Sequence, residues 1–317
     1  MARILTLTLN PALDLTVRLP TLAPGEVNRS ESALSQAAGK GLNVAQVLAD
    51  LGHSLTVAGF LGADNALPFE ALFRRRGFVD AFVRVPGETR RNIKIAEGSG
   101  RITDINGPGP EVSSAQQDAL LDRLDLIAAD FDIAVVAGSL PRGVDPQWLR
   151  ELLLRLQGHG LKVAFDCSGA ALRAGVDAAP WLIKPNDQEL GDACGKPAGS
   201  AEELGAQVES LRARGIEQVV LSQGAEGARW YSPQGVWQAV PPRVEVASTV
   251  GAGDSLLAGM VHGLLAGWPP ERVLRQATAV AALAVTQIQF GIGDAQRLKR
   301  IEDAVQVQAL APCQPER

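Results

Sequence analysis

The sequence has few of the residues on which disulfide frameworks and metal centres are built. It contains three cysteines and three histidines in 317 residues. The cysteines, Cys167, Cys194 and Cys313, are spaced for neither a disulfide framework nor a zinc site, and the histidines are isolated from one another. We therefore expect a protein of the reducing cytoplasm, without a metal centre made of cysteine or histidine.

Segments that would direct the chain into a membrane are also missing. No apolar run approaches the ~18 residues that a spanning helix needs. The first ten residues lack the basic and apolar regions of a signal peptide and are predicted to form a strand. Positive charge is not in excess either, since 30 Lys and Arg face 35 Asp and Glu, for a net charge of −5. We expect neither a nucleic-acid partner nor a membrane partner.

The chain does have a large hydrophobic content and an alternation of strands and helices. Hydrophobic residues make up 46% and charged residues 21%, which is typical of one globular domain spanning residues 1–317. Short apolar runs predict strands at residues 4–9, 55–60, 133–137, 162–166, 181–184 and 218–222. Helical periodicity predicts helices at residues 41–51, 67–76, 115–129, 146–157, 201–214, 252–266 and 271–288. This order predicts a doubly wound, mostly parallel α/β sheet flanked by helices, with ligands at the carboxyl ends of the strands.

Two segments interrupt the alternation, at residues 12–36 and 88–106. Residues 92–97 and 101–106, joined by Gly98-Ser99-Gly100, predict a β-hairpin. Together the two segments are predicted to form a small β-sheet lid. The tail after Ala309 is expected to fray.

The segment 248–255, Ser-Thr-Val-Gly-Ala-Gly-Asp-Ser, carries the strongest chemical signal. It leads into an apolar stripe at helical spacing, so Gly251, Ala252 and Gly253 are predicted to open a helix whose free amides can bind an anion. Asp254 at that position can take a proton from a substrate hydroxyl. The alternative is that Asp254 only caps the helix.

Three further turns suggest ligand contacts near the same sheet edge. The first, Ala38-Gly39-Lys40-Gly41-Leu42-Asn43, opens a helix and lacks the spacing of a Walker A loop; its alternative is a plain tight turn. The second turn comprises residues 184–189. Its Lys184 can reach a nucleotide phosphate, and its Asn186 and Glu189 can either hold Mg²⁺ through water or simply cap a helix. The third is a glycine turn suited to nucleotide phosphates or ribose: Ser222, Gln223, Gly224, Ala225, Glu226 and Gly227.

These motifs resemble the two signatures of the ribokinase-like (PfkB) carbohydrate kinase family. Residues 38–45 resemble the N-terminal signature and residues 248–254, with Ala258-Gly259, the C-terminal one. The resemblance implies a ribokinase-like fold with a β-lid that often forms a dimer clasp. It implies Asp254 as general base, Gly251, Ala252 and Gly253 as the anion hole, and residues 222–227 with Gly253 as ATP contacts. Lys184 would reach the phosphates of ATP, with Asn186 and Glu189 near Mg²⁺.

The resemblance also implies the contacts of the sugar. Asp14, Gly39, Asn43 and Ser139 resemble the family's hydroxyl ligands, and Arg90 its ligand for the substrate phosphate. Asn92 and Lys94 follow Arg90 on the lid, although Lys94 could equally belong to a solvated strand face. Gln223 stands where the family usually has leucine, and residues 107–109 vary a lid segment.

Lys40, Asn92 and Lys94 are expected among the substrate-binding residues as well. Gly39-Lys40-Gly41, together with residues 60–65, resembles the branch of the family that contains 1-phosphofructokinases and tagatose-6-phosphate kinases. The expected reaction is ATP- and Mg²⁺-dependent phosphorylation of fructose 1-phosphate at its 6-hydroxyl. Alternatives are tagatose-6-phosphate kinase or 6-phosphofructokinase activity and, in a different class, a non-catalytic sugar-phosphate or nucleotide sensor. An NAD-dependent enzyme is not expected, because no G-x-G-x-x-G follows the first strand.

Overall fold

The structure is a computed structural model that describes residues 1–310. Its strands are β1 (Arg3–Thr8), β2 (Ala12–Leu19), β3 (Ser32–Ala38), β4 (Ser54–Gly62), β5 (Val79–Val85), β6 (Arg90–Glu97), β7 (Ile102–Asn106), β8 (Ile133–Ala137), β9 (Lys162–Asp166), β10 (Leu182–Ile183), β11 (Gln218–Ser222), β12 (Ala228–Ser232), β13 (Gly235–Val240) and β14 (Gln306–Leu310). Its helices are α1 (Lys40–Asp50), α2 (Leu67–Arg76), α3 (Ser114–Ile127), α4 (Pro146–Gly158), α5 (Gly169–Val176), α6 (Asp187–Cys194), α7 (Ala201–Ala213), α8 (Ala252–Leu265), α9 (Pro270–Ala284) and α10 (Ala295–Ala304).

The main sheet has the strand order β14-β13-β12-β11-β10-β9-β8-β1-β4-β5. The strands from β11 to β5 in this order pair in parallel, and β12, β13 and β14 pair antiparallel at one end. The predicted doubly wound, mostly parallel sheet is therefore confirmed. The chain runs from β1 to β4 on one side and later returns to β8 on the other, so a topological switch point lies between β1 and β8. Ligands in open α/β sheets bind at such a point.

Two apolar layers cover the faces of this sheet, which explains why its central strands are continuous hydrophobic runs. One layer is built around α1, α2, α8, α9 and α10 with Leu42, Phe69 and Leu257 among its residues. The other is built around α3 to α7, with Leu120, Leu149 and Val208. Every residue of β8 is buried between the two layers. No helix among residues 1–310 has the length and apolarity that a membrane crossing requires.

Several elements differ from the prediction. The strands β5, β13 and β14 were not predicted, because their buried and exposed residues are mixed and the prediction relied on continuous apolar runs. β12 is largely buried and was missed because Arg229 and Ser232 interrupt its apolar run. The short helices α5, α6 and α10 were missed as well, and the predicted strand at 181–184 shrinks to Leu182–Ile183. The tail predicted to fray begins inside β14; from residue 311 onward it lies, with Cys313, outside the described residues.

A second, four-stranded sheet has the order β3-β2-β6-β7. The predicted hairpin is present, with β6 and β7 paired antiparallel. β2 pairs antiparallel with β3 and parallel with β6, so that Asp14 is opposite Asn92. Because side chains alternate along a strand, these two residues share one face of the second sheet. The opposite face carries Leu15, Val17, Ile93, Ile95 and Ile105.

Candidate active site

Two helices begin at one place in the fold. α1 begins at Lys40 after Gly39 (φ 140°), and α8 begins at Ala252 after Gly251, which has the left-handed φ of 81°. The first turns of the two helices are joined by a hydrogen bond of 2.8 Å, in which Asn43 Nδ2 donates to Asp254 Oδ2. The free amides and positive dipole ends of both helices therefore converge, which favours binding of an anion.

Glycine allows α1 to approach the end of β1 this closely. A Cβ on Gly41 would lie 2.4 Å from the carbonyl oxygen of Leu7, a contact that no side chain can make. The requirement at Gly253 in α8 is weaker, since a Cβ there would lie 3.1 Å from Lys184 Nζ, the end of a flexible side chain. The lysine ammonium group thus lies directly against the first turn of α8.

The convergence of α1 and α8 borders a cavity of about 360 Å³. Its lining residues come from the second sheet, from both helix starts and from the carboxyl ends of β9, β10 and β11: Ala12, Asp14, Gly39, Lys40, Asn43, Arg90, Asn92, Asp166, Lys184, Asn186, Glu189, Ser222, Val250, Gly251, Gly253 and Asp254. Most of the site residues predicted from the sequence are thus brought together. Ala252, Ser139, Lys94 and residues 223–227 are not among the lining residues.

Asp254 is a buried carboxylate, only 6% exposed. Burial, followed by the negative charge of Asp166, raises the pKa of Asp254 to about 6, against the opposing effects of Lys40, the Asn43 hydrogen bond and Lys184. A pKa close to neutrality suits a group that must accept a proton and release it again. The hydrogen bond to Asn43 also argues against the capping alternative, because the carboxylate is bound to a neighbouring helix.

Asp166, at the end of β9, is a residue that the sequence analysis missed. Its carboxylate is 1% exposed and forms ion pairs with Lys40 Nζ at 3.3 Å and with Lys184 Nζ at 3.2 Å. Although burial favours the neutral acid, the two ammonium groups hold the pKa of Asp166 below its ordinary value, so the carboxylate is charged. The sequence did contain a signal for Asp166, because an acidic residue at the carboxyl end of a buried parallel strand lies at the edge where ligands bind.

Arg90 is held near the cavity by main-chain carbonyl groups. Its guanidinium group donates to the oxygens of Asn10 at 3.1 Å, Gly107 at 3.2 Å and Pro11 at 3.4 Å. It also donates to Ser139 Oγ at 3.5 Å; Ser139 is exposed and is not among the residues that line the cavity. Carbonyl groups orient the guanidinium group without neutralising its charge, so Arg90 can still bind an anion.

The remaining polar residues of the second sheet divide between two cavities. Asp14 accepts a hydrogen bond of 2.9 Å from Asn92 Nδ2, and both line the main cavity. Lys94 is paired with Asp104 and lines a neighbouring cavity of about 260 Å³ that also borders Asp14 and Asn92. The charge of Lys94 is therefore already balanced, unlike that of Arg90.

On the other side of the cavity, β10 and β11 end in the predicted nucleotide segments. Ser222 lines the cavity, whereas Gln223, Gly224, Ala225, Glu226 and Gly227 form a turn beside it. Residue 227 must be glycine for a structural reason, since a Cβ there would lie 1.9 Å from the carbonyl oxygen of Ala239.

Asn186 and Glu189 form the capping box that the sequence allowed as an alternative to metal binding. Asn186 Oδ1 accepts from the amide of Glu189 at 2.8 Å, and Glu189 Oε2 accepts from the amide of Asn186 at 3.0 Å. The capping box leaves Glu189 Oε1 for another ligand, and both residues line the cavity. Within residues 1–310 no cluster of three metal-binding side chains occurs. These oxygens therefore fit Mg²⁺ as it is usually bound beside nucleotides, by few protein ligands, water and phosphates.

Comparison with known proteins gives a consistent result. Residues 7–295 match the pfkB family of carbohydrate kinases. The 1-phosphofructokinase of Vibrio cholerae serotype O1 is 45% identical over 310 residues, which are 98% of each protein. Escherichia coli phosphofructokinase-2 in complex with fructose-6-phosphate aligns at a TM-score of 0.85 and 26% identity, over 96% of this chain and 99% of that chain. Ribokinase from Thermotoga maritima aligns at a TM-score of 0.76 and 18% identity, over 96% of this chain and 100% of its own, which confirms the ribokinase-like fold.

Proposed function

Because the chain belongs to the pfkB family of carbohydrate kinases, we propose that it transfers the γ-phosphoryl group of ATP to the 6-hydroxyl of fructose 1-phosphate. The products are ADP and fructose 1,6-bisphosphate. One observation carries this proposal: a single cavity has the buried carboxylate of Asp254 on one side and the guanidinium group of Arg90 on another.

These two groups match the two ends of the substrate. The phosphate on C1 of the sugar binds Arg90, whose charge among residues 1–310 is otherwise balanced only by the neighbouring Asp14. The 6-hydroxyl at the other end of the molecule then reaches Asp254. Asp14, Asn43 and Asn92 offer side-chain oxygens and amide groups for the hydroxyls between the two ends. A phosphorylated ketohexose is favoured over an unphosphorylated sugar, which would leave the half-buried guanidinium group with Asp14 as its neighbouring anion and no phosphate.

In the transfer step, the 6-oxygen forms a bond to the γ-phosphorus as the bond from that phosphorus to the β,γ-bridging oxygen breaks. Asp254 takes the hydroxyl proton, and ADP leaves with the bridging oxygen. Negative charge spreads over the oxygens of the transferred group, where the amides at the start of α8 and the Lys184 ammonium group stabilise it. Asp254, Lys184 and the α8 turn therefore act on the same reacting atoms.

We propose that Mg²⁺ is held beside the nucleotide by Glu189 and Asn186, in part through water. When bound, the ion would neutralise charge on the phosphates of ATP. The residues of the chain contribute orientation and proton transfer, and the second sheet is proposed to act as a lid that excludes water, which would otherwise compete with the sugar as acceptor.

A coupled assay of ADP release tests the proposed reaction. With ATP and Mg²⁺, we expect the highest kcat/KM for fructose 1-phosphate among fructose 1-phosphate, fructose 6-phosphate and tagatose 6-phosphate. Fructose without phosphate is the control and should be a poor acceptor, because it gives Arg90 no anion. A preference for either 6-phosphate would contradict the substrate assignment, and ADP release independent of sugar and Mg²⁺ would contradict the kinase mechanism.

The second sheet also supports a proposal about assembly. Its face away from the cavity carries Leu15, Val17, Ile93 and Ile95, all partly exposed, and Ile105, which is 53% exposed. Burying each such side chain contributes about 1.5–3 kcal/mol. We propose that a second copy of the chain covers this face, so that two second sheets pack on each other in a homodimer.

A charge placed on this face should separate the dimer. Wild-type protein is expected to sediment at twice the chain mass of 33.3 kDa, and Ile95→Glu at the chain mass, because a carboxylate cannot be buried in an apolar contact without a partner. Leu126→Glu is the control, since Leu126 lies on α3 and is 84% exposed. A monomeric wild-type protein at tens of micromolar, or a dimeric Ile95→Glu variant, would contradict the proposal.

We propose a cytoplasmic location. The two cysteines within the described residues, Cys167 and Cys194, are free thiols. Free thiols persist in reducing compartments, which are also where ATP-dependent sugar metabolism takes place.

A further inference from the structure

Asp166 joins parts of the cavity that come from distant places in the sequence. Its two carboxylate oxygens contact different lysines, Oδ1 the ammonium group of Lys40 and Oδ2 that of Lys184. Lys40 begins α1, and Lys184 follows β10, so no local element fixes the two side chains relative to each other. Their shared contact with one buried carboxylate does so.

The two lysines differ in what they present to the cavity. The Lys184 side chain is 5% exposed, and its ammonium group lies against Gly253 in the first turn of α8. The Lys40 side chain is 39% exposed, and its ammonium group is therefore partly open to whatever occupies the cavity. The carboxylate of Asp254 adds to the negative potential at Lys40, which keeps that ammonium group charged. Two cations that would otherwise repel each other are thus kept beside the α8 turn.

We propose that Asp166 is a positioning residue that holds the ammonium groups of Lys40 and Lys184 together, so that both contact the γ-phosphoryl group of ATP. The proposal rests on the proposed kinase function and adds Lys40 to the groups that bind the nucleotide's terminal phosphate. Asp166 itself need not touch the substrate. Without its charge, Lys40 is free to swing into solvent, and Lys184 is left as a buried cation with no carboxylate at its Nζ.

Nucleotide binding without sugar tests this inference independently of the substrate assignment. We expect Asp166→Asn to weaken binding of AMPPNP, which carries a γ-phosphoryl group, at least tenfold in isothermal titration calorimetry with Mg²⁺. Binding of ADP, which lacks that group, should change less than threefold. The matched control is Asp125→Asn, because Asp125 also contacts two basic side chains, Arg155 and His159, but lies outside the cavity.

Equal weakening of AMPPNP and ADP, or no weakening of either, would overturn the proposal. If Asp166→Asn does not fold, Lys40→Met provides the same comparison, since Lys40 is partly exposed and its loss leaves the Asp166–Lys184 pair intact. It too should lose affinity for AMPPNP and not for ADP. An unchanged AMPPNP affinity in Lys40→Met would contradict the role of Lys40 directly.

A double-mutant cycle shows whether Asp166 acts through Lys40. Asp166→Asn should lower kcat at least tenfold in wild type and by a smaller factor in Lys40→Met, because in the second background only the ammonium group of Lys184 is left to position. The cycle is measured with whichever phosphosugar the wild-type enzyme prefers, so an error in the proposed substrate does not affect it. Equal losses of kcat in both backgrounds would mean that Asp166 does not act through Lys40.

The pH profile separates positioning from general loss of structure. Asp254 is faced by Asp166, Lys40, Lys184 and the uncharged Asn43, and Asp166 is the one of these that raises the pKa of Asp254. Since kcat falls when Asp254 becomes protonated, removal of the Asp166 charge in the Lys40→Met background, where no ammonium group at residue 40 can move away, should move the acidic limb of kcat to lower pH. A limb that stays in place or moves to higher pH would contradict the assigned electrostatic contact.

Discussion

Replacement of Asp254 by asparagine is expected to lower kcat by at least about 100-fold, the lower end for a lost general base. Asparagine has nearly the same shape and keeps an oxygen that can accept the hydrogen bond from Asn43, which joins α1 to α8. It cannot take the proton of the substrate hydroxyl. The KM for ATP should therefore remain within a few-fold of wild type while turnover is lost.

The control for this substitution is Asp294→Asn, because Asp294 is a helix-capping aspartate whose Oδ1 accepts from the amide of Arg297. Asp294→Asn should retain wild-type kcat, which separates loss of a proton acceptor from loss of an acid at a helix start. Turnover of Asp254→Asn close to that of wild type would rule out Asp254 as the base.

The raised pKa of Asp254 sets the pH dependence of the wild-type enzyme. The base works only when it is deprotonated, and its pKa is raised to about 6 by burial and by Asp166. Activity should therefore be full above neutrality and fall as the pH drops through about 6. An unperturbed aspartate would retain activity to about pH 4. Measurement of kcat/KM from pH 5 to 8 distinguishes the two; a flat profile over this range would contradict the burial of the base.

The catalytic turn could be predicted from the sequence because its chemistry is local. Gly251, Gly253 and Asp254 are adjacent in the chain, and the apolar stripe that follows them specifies a helix start. The order of strands and helices was likewise readable, since buried parallel strands are short hydrophobic runs. These features gave the fold class and the edge of the sheet where ligands bind.

What the sequence did not reveal depends on contacts between distant residues. Asp166 ends a predicted strand, but its ion pair with Lys40 joins residues that are 126 positions apart in the chain. The ion pairs with Lys40 and Lys184 form only because β9 and β10 are neighbours and α1 begins at the same edge of the sheet. Ser139 as a sugar contact stays a prediction, and its hydrogen bond from Arg90, 49 residues away in the chain, was not foreseen. The strands β12 to β14 were missed because antiparallel strands at the end of a sheet need not be uniformly apolar.

Substitution of Arg90 by methionine should cost about 100-fold in kcat/KM for the phosphosugar. A charge-assisted hydrogen bond contributes about 1.5–3 kcal/mol, and loss of both the charge and the bonds to one phosphate reaches about 3 kcal/mol, or two factors of ten. Methionine preserves most of the volume and the apolar stem of arginine. The loss should appear mainly in the KM of the phosphosugar and leave the KM of ATP unchanged, because Arg90 lies on the second sheet, away from Lys184 and Ser222.

The adjacent residue supplies the control for this prediction. Arg91→Met removes the same charge one position along β6, where the side chain points to the other face of the sheet, is 57% exposed and pairs with Glu88. Its kinetic constants should stay within twofold of wild type.

The kcat/KM of Arg90→Lys for the phosphosugar should lie between those of wild type and Arg90→Met, because a lysine restores charge but not the paired donors of the guanidinium group. If Arg90→Met keeps the phosphosugar KM within threefold, the substrate phosphate binds elsewhere, and the assignment of the two ends of the cavity is wrong.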